Sequence, residues 1–290
     1  MNIIWVSDIH LNFLNENQRE DFYKKLKDAN GDAVVISGDI AESHNVIPFI
    51  KGMEAYIEIP VYFVLGNHDF YGSNLADVKR LAASTGTYLG AEQCVALNAS
   101  TALLGVDGWG DTRNGDYKNS HLKMSDWIYI DDLRREYGKG MSTLKKKLMR
   151  LADNDANKLK RRVLKAIGKG YTKIIIVTHV PPIEEVCLNA GKKSTPSGLP
   201  FFSSKCLGDA IVPIVKQHKK IDFLWLSGHT HSRVTYVPLP NLTVKVAKAE
   251  YYHPQIEEIM CITDVFGPEG HTVEAINLNE ETPNAQETLV

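Results

Sequence analysis

Asp8, His10, Asp39, Asn67, His68, Asp69, His179, His229 and His231 share one placement: each lies just beyond a short apolar run that reads as a buried strand. The fullest case is Val61 to Leu65, stopped by Gly66 and followed by Asn67, His68 and Asp69. An amide, an imidazole and a carboxylate in a row are costly to bury and build no core. They make sense at a strand's carboxyl end, where open α/β sheets bind their ligands. Asp8 and His10 follow strand Ile3–Ser7, and an i, i+2 spacing carries both side chains to one face of an extended chain. A carboxylate and an imidazole there can share one divalent ion. His229 and His231 repeat that spacing after Phe223–Ser227. Any one such group is also an ordinary turn signal, since Asp and Asn form turns readily. Their recurrence in register, with histidines attached, points to chemistry.

The elements that must position these residues alternate. After Ile3–Ser7 a helix is expected from Asn17 to Ala29, with Phe22, Leu26 and Ala29 inward. Ala33–Ser37 is the next strand and ends in Gly38-Asp39; Ser43 is expected to cap a helix to about Tyr56. A helix from Asn74 to about Ala83 follows the Val61 strand, then weaker strands at Cys94–Leu97 and Thr101–Val106 and a glycine-rich loop around Trp109. Lys173–Thr178 is the clearest parallel-type strand and runs into His179. Pro181 to Ser204 has no lasting periodicity and reads as a long loop, a kind that is usually functional or mobile. A helix around Asp209–Gln217 leads to the strand before Gly228, and strands are expected at Leu242–Lys245, Met260–Thr263 and Thr272–Leu278, with a polar tail over 279–290. One domain is expected over 1–278.

With 43% hydrophobic and 23% charged residues, the 290-residue chain is of ordinary globular composition. Its start, Met1 to Val6, runs straight into a strand without the features of a signal peptide or membrane span, and Cys94, Cys187, Cys206 and Cys261 lack any metal-finger spacing. A cytoplasmic, reduced setting with no membrane partner is the expectation. The formal charge of −2 hides an asymmetry: Arg134 to Lys173 holds fourteen Lys or Arg against three acids, a net of +11. Residues 111–170 thus read as a helical, basic insertion. Leu144, Leu148, Leu151, Leu159, Val163 and Ile167 fall near helical spacing, which leaves Lys145–Lys147 and Lys160–Arg162 mainly facing solvent. They form either a plain solvated face or a wall attracting a nucleotide or nucleic acid.

Asp8-Ile9-His10, Gly38-Asp39, Gly66-Asn67-His68-Asp69, Thr178-His179 and Gly228-His229-Thr230-His231 resemble, in order and strand context, the motifs of the calcineurin-like metallophosphoesterases. The resemblance spans residues 1 to about 250, with all five motifs intact. It implies a four-layered α-β-β-α sandwich of two mixed sheets and two divalent ions at the strand ends. By motif, Asp8, His10 and His231 hold the first ion, Asn67, His179 and His229 the second, and Asp39 bridges both. Such N and O donors suit Mn, Fe, Zn or Ni and discriminate poorly among them, with Mn favoured here. Two ions clamp the attacking and departing oxygens and acidify a bridging water. His68 then resembles the family's protonated imidazole beside the leaving group, with Asp69 fixing its tautomer. Of the other histidines, His253 is the one expected closest to the site.

The family's protein phosphatases carry an Arg soon after Gly-Asp and a Glu where this chain has Asp69. Ile40-Ala41-Glu42-Ser43 holds no Arg, which argues against a protein phosphatase; the Asp-Ile-His and Gly-Asn-His-Asp forms resemble more the bacterial phosphodiesterases of the cyclic-nucleotide type, without fixing a substrate. The expected function is hydrolysis of a phosphodiester, the alternative a phosphomonoesterase on a nucleotide or other small phosphate. A metal-binding scaffold without catalysis is the remaining class, disfavoured because no ligand is missing.

Overall fold

The computed structural model describes residues 1–91 and 94–266. The expected strand at Thr272–Leu278 and the tail 279–290 lie outside the described residues. The first half alternates: β1 (Asn2–Val6), α1 (Glu16–Asp28), β2 (Ala33–Ser37), α2 (Ser43–Ile57), β3 (Val61–Val64) and α3 (Leu75–Ala83). Then come β4 (Cys94–Ala96), β5 (Thr101–Gly105), the helices α4 (Asp126–Tyr129), α5 (Asp131–Tyr137) and α6 (Met141–Gly168), and β6 (Lys173–Val177). The long connection after β6 holds the small strands β7 (Leu188–Asn189) and β8 (Lys192–Lys193) and the short helix α7 (Leu199–Phe202). α8 (Lys205–Gln217), β9 (Asp222–Ser227), β10 (Val234–Leu239), β11 (Leu242–Val246) and β12 (Glu258–Cys261) complete the described chain.

One sheet has the order β12-β1-β2-β3 and the other β10-β11-β9-β6-β5-β4. In the first, β1, β2 and β3 are parallel and β12 is antiparallel. In the second, β5, β6, β9 and β11 are parallel and the edges β4 and β10 antiparallel. The apolar runs of β1, β2, β6 and β9 are continuous because these strands are buried on both faces. Ile3, Trp5, Val35, Ile175, Val177, Leu224 and Leu226 share one core cluster contributed by both sheets. Their neighbours one residue on point the other way, as period two requires. Ile4, Val6, Val34 and Ile36 pack with α1 and α2, and Ile174, Ile176, Phe223 and Trp225 with α6 and α8. This is the expected four-layered α-β-β-α sandwich. Among the described residues no helix is long and apolar enough to cross a membrane.

Three details differ from expectation. Ser43 is inside α2; Glu42 is the N-cap and makes no side-chain cap. β10 was not among the expected strands; it contains Pro238, which a sheet edge tolerates. Arg162 is buried rather than solvent-facing. Its guanidinium donates to the backbone carbonyls of Leu89 at 2.7 Å and Gly90 at 3.0 Å, and to that of Gly105, so α6 is pinned to the chain around β5.

Candidate metal centre

β1, β2, β3, β6 and β9 all end facing one region, and the loops beyond them carry the polar residues singled out above. Asp8 and His10 do not lie on an extended chain as expected. They have φ of 49° and 39°, with 52° at Asp39, 71° at His229 and 53° at His231. A left-handed backbone at a non-glycine residue costs about 1–3 kcal/mol and persists only where its surroundings hold it. Here Asp8 N–H donates to Gly38 O (3.0 Å), His10 N–H to Asp39 O (3.1 Å), and His229 N–H to the Asp8 carboxylate (3.0 Å). The motif glycines leave room for neighbouring carboxylates. A Cβ on Gly66 would stand 2.1 Å from Asp39 Oδ1, and one on Gly228 2.1 Å from Asp8 Oδ2.

The donor atoms converge. His231 Nε2 lies 3.2 Å from Asp8 Oδ1, and Asp39 Oδ2 lies 3.4 Å from His179 Nε2 and 3.9 Å from His10 Nε2. His179 Nε2 is 3.0 Å from Asn67 Oδ1 and 3.2 Å from His229 Nδ1. Ligand atoms of Asp8, Asp39 and His179 lie within 4.8 Å of one another, which joins all seven expected ligands into one cluster. His179 Nδ1–H donates to the Ser37 carbonyl at 2.9 Å, and His229 Nε2–H to that of Phe201 at 3.2 Å. In its neutral form the His179 ring then turns its Nε2 lone pair toward the Asn67 oxygen and His229 Nδ1, a close approach of three acceptors that a bound cation, or a proton on His179, relieves. His10 is 1% exposed, and neither of its ring nitrogens has a hydrogen-bond partner. A buried imidazole with no partner is costly unless a ligand satisfies it. The residues present fit divalent cations.

The electrostatics agree. Burial opposes ionisation of Asp8, but His231 and His179 outweigh it and hold the carboxyl at about 2. Burial also opposes charge on His179, yet the Asp39 and Asp8 carboxylates lift it to about 10. Without a metal, a proton on His179 takes the cation's place. Burial drives His10 down to about 3, and burial with the His179 charge does the same to His229.

His68 stands at the mouth. Its backbone N–H donates to Asp39 Oδ1 at 2.9 Å, its ring stacks on Tyr71 at 4.3 Å, and its buried Nε2 has no hydrogen-bond partner. Its nitrogens also lie within reach of His10 and Asp39 as a third donor. Asp69 does not fix His68 as expected. The 3-10 turn His68–Phe70 swings its carboxylate inward, where it accepts from the N–H groups of Ile40 (2.8 Å), Ala41 (2.9 Å) and Gly66 (2.8 Å). It ties the Asp39 loop to the Asn67 loop instead.

Two contributors had no readable signal. Asp126, on α4, accepts from Asn67 Nδ2 at 2.9 Å and from Tyr71 OH at 2.7 Å, which turns the amide oxygen of Asn67 toward His179. Tyr251 stands 4.6 Å from the ring of His10 and 5.2 Å from that of His231. His253, two residues on, is exposed. Trp109 packs on Phe70 and lines a small cavity beside Asn67 and His229. A cleft of about 560 Å³ opens beside His68; Lys145–Lys147 and Lys160–Arg162 are not among the residues lining it.

The sequence profile of the calcineurin-like phosphoesterases matches residues 1–233. No curated protein matches the chain at a significant level. Among solved structures, a dimetal phosphatase from Danio rerio is similar with a TM-score of 0.53 and 12% identity over 86% of this chain and 87% of that one. A phosphopantetheinyl hydrolase from Mycobacterium tuberculosis gives 0.51 and 12% over 86% and 89%. At these identities the likeness is one of fold. The chain belongs to the calcineurin-like phosphoesterase family.

Proposed function

We propose that this phosphoesterase cleaves a phosphodiester at a centre of two divalent ions, with Asp8, His10 and His231 around one, Asn67, His179 and His229 around the other, and Asp39 shared. The observation that carries the reading is the convergence of the Asp8, Asp39, Asn67, His179, His229 and His231 donor atoms beside a buried His10 whose ring nitrogens have no hydrogen-bond partner. Bound ions supply Lewis-acid stabilisation of phosphoryl charge and a water acidic enough to attack. Manganese is the favoured metal among Mn, Fe, Zn and Ni.

The chain's own groups do the rest. Asp126 holds the Asn67 amide with its oxygen inward, and Asp69 keeps the Asp39 and Asn67 loops in register. His68 is the general acid for the departing oxygen; its buried, unpartnered Nε2 at the cleft supports that role. A diester suits the cleft better than a monoester, since no Lys or Arg lines it to meet a second phosphate charge.

Turnover of bis-p-nitrophenyl phosphate with added Mn²⁺ tests the reading. The expected result is hydrolysis that stops on chelation and is largely lost, with bound metal, in Asp39→Asn. A chain inert with all four metals acts as a scaffold and sinks the proposal.

A further inference from the structure

We propose that the cleft beside His68 is a stacking subsite for a flat heteroaromatic group bearing an N–H donor, carried on the phosphate ester; this rests on the phosphodiesterase reading. Five aromatic rings line the cleft: Phe13, Tyr71, Tyr129, Tyr251 and Tyr252. They form two banks. Tyr71 and Tyr129 meet at 5.4 Å; Phe13 meets Tyr251 at 5.4 Å and Tyr252 at 5.3 Å. The His68 ring reaches both, 4.3 Å from Tyr71 and 6.3 Å from Tyr251, so the banks flank the group expected to protonate the leaving oxygen.

Tyr71 is buried in the core, but the outer rings are not. Phe13, Tyr129 and Tyr252 are 36%, 53% and 59% exposed, which leaves large π-faces open at the mouth of a catalytic cleft. Tyr252 also has φ of 69°, an uncommon backbone for so bulky a residue, which is held in place at this rim. A cleft of about 560 Å³ is in the range that encloses a small organic group.

Charge selects the occupant. Among the residues lining the cleft Glu42 is the one carboxylate, and there is no Lys or Arg. Glu42 is half-buried, and no hydrogen bond or ion pair engages its carboxylate among the described residues. An unengaged carboxylate between aromatic faces repels a second phosphate and accepts from an amine or ring N–H. An amine-bearing nucleobase has both the π-face and the donor; an alkyl group has neither.

Calorimetric titration with ligands that cannot be hydrolysed tests this apart from catalysis. Adenosine, purine riboside (which lacks only the exocyclic amine) and ribose are titrated into the Mn²⁺-loaded protein. Adenosine is expected to bind tightest and ribose not at all. Tyr252→Ala should weaken adenosine by roughly 10-fold, the scale of one lost stacking contact. Glu42→Ala should make adenosine and purine riboside equal. Adenosine binding no tighter than ribose, or equal to purine riboside in the unaltered protein, overturns the proposal. Because binding needs no turnover, an inert protein that binds in this pattern would refute the phosphodiesterase reading and leave the subsite standing. An active one without the pattern would do the reverse.

Discussion

Replacing Asp126 with alanine removes the acceptor for two buried donors, Asn67 Nδ2 at 2.9 Å and Tyr71 OH at 2.7 Å. A buried donor left without a partner costs about 1–3 kcal/mol. Against this, burial already raises the pKa of Asp126, so its removal returns part of a desolvation cost. The net loss is about 2–3 kcal/mol, a Tm fall of roughly 3–5 °C for a chain of this size. The larger effect is on the metal. Freed from Asp126, the Asn67 amide can turn its NH₂ toward His179, and loss of such an orienting partner lowers metal affinity about 10–100-fold. Only the ion held by Asn67 should suffer. Asp126→Asn retains one acceptor oxygen and should fall between. Mn²⁺ titration of chelated protein, with calorimetric melting alongside, reads both effects. Two ions bound at full affinity in Asp126→Ala, despite a lower Tm, would show that Asp126 serves stability alone.

Loss of His68 should depend on the leaving group: His68→Ala should cost about 10²–10⁴-fold in kcat on an alkyl or nucleoside ester and far less on a p-nitrophenyl ester, whose phenolate departs unaided. Equal losses would assign His68 to phosphoryl-charge stabilisation, and loss of bound metal would make it a ligand. Gly228→Ala sets a methyl 2.1 Å from Asp8 Oδ2 and should lower both metal content and Tm; unchanged values in both would refute the close fit. The metal-free protein should be most stable near pH 6.5. His10 and His229, held near 3 when folded, take up protons on unfolding below their ordinary 6.5, so stability should rise from pH 3 to 6.5, at most about 1.4 kcal/mol per pH unit for each. His179, lifted to about 10, gives up its proton on unfolding, so stability should fall from pH 6.5 to 10. Urea midpoints at pH 4.5, 6.5 and 9 (chosen to sample about each window) check the signs, and saturating Mn²⁺ should remove the alkaline decline.

The strand cores were legible because both faces of each are buried: Ala33–Ser37 is β2 to the residue, and Lys173–Thr178 is β6 with one residue more. The motif residues were legible because they interrupt those runs. Their backbone was not, since an i, i+2 pair looks extended on paper while Asp8 and His10 are left-handed. Arg162 was misread through its charge. Leu159, Arg162, Val163 and Ala166 fall at i, i+3, i+4 and i+7, one helical face, and carbonyls waiting at the end of β5 make a buried guanidinium acceptable. Asp69 was expected at His68 because they adjoin in sequence, yet a 3-10 turn sends its carboxylate to three amides. Asp126 and Tyr251 gave no sign, because their partners lie 59 positions away for Asn67 and far back at His10. Contacts of that kind exist only once the sheets have paired.

The central claim is a pair of ions sharing Asp39, and anomalous diffraction from a crystal of the protein grown with Mn²⁺ tests it most directly. Two peaks ~3.5–4 Å apart are predicted, both touching Asp39, one against Asp8, His10 and His231 and the other against Asn67, His179 and His229. A single peak, or two that do not share the Asp39 carboxylate, would contradict it.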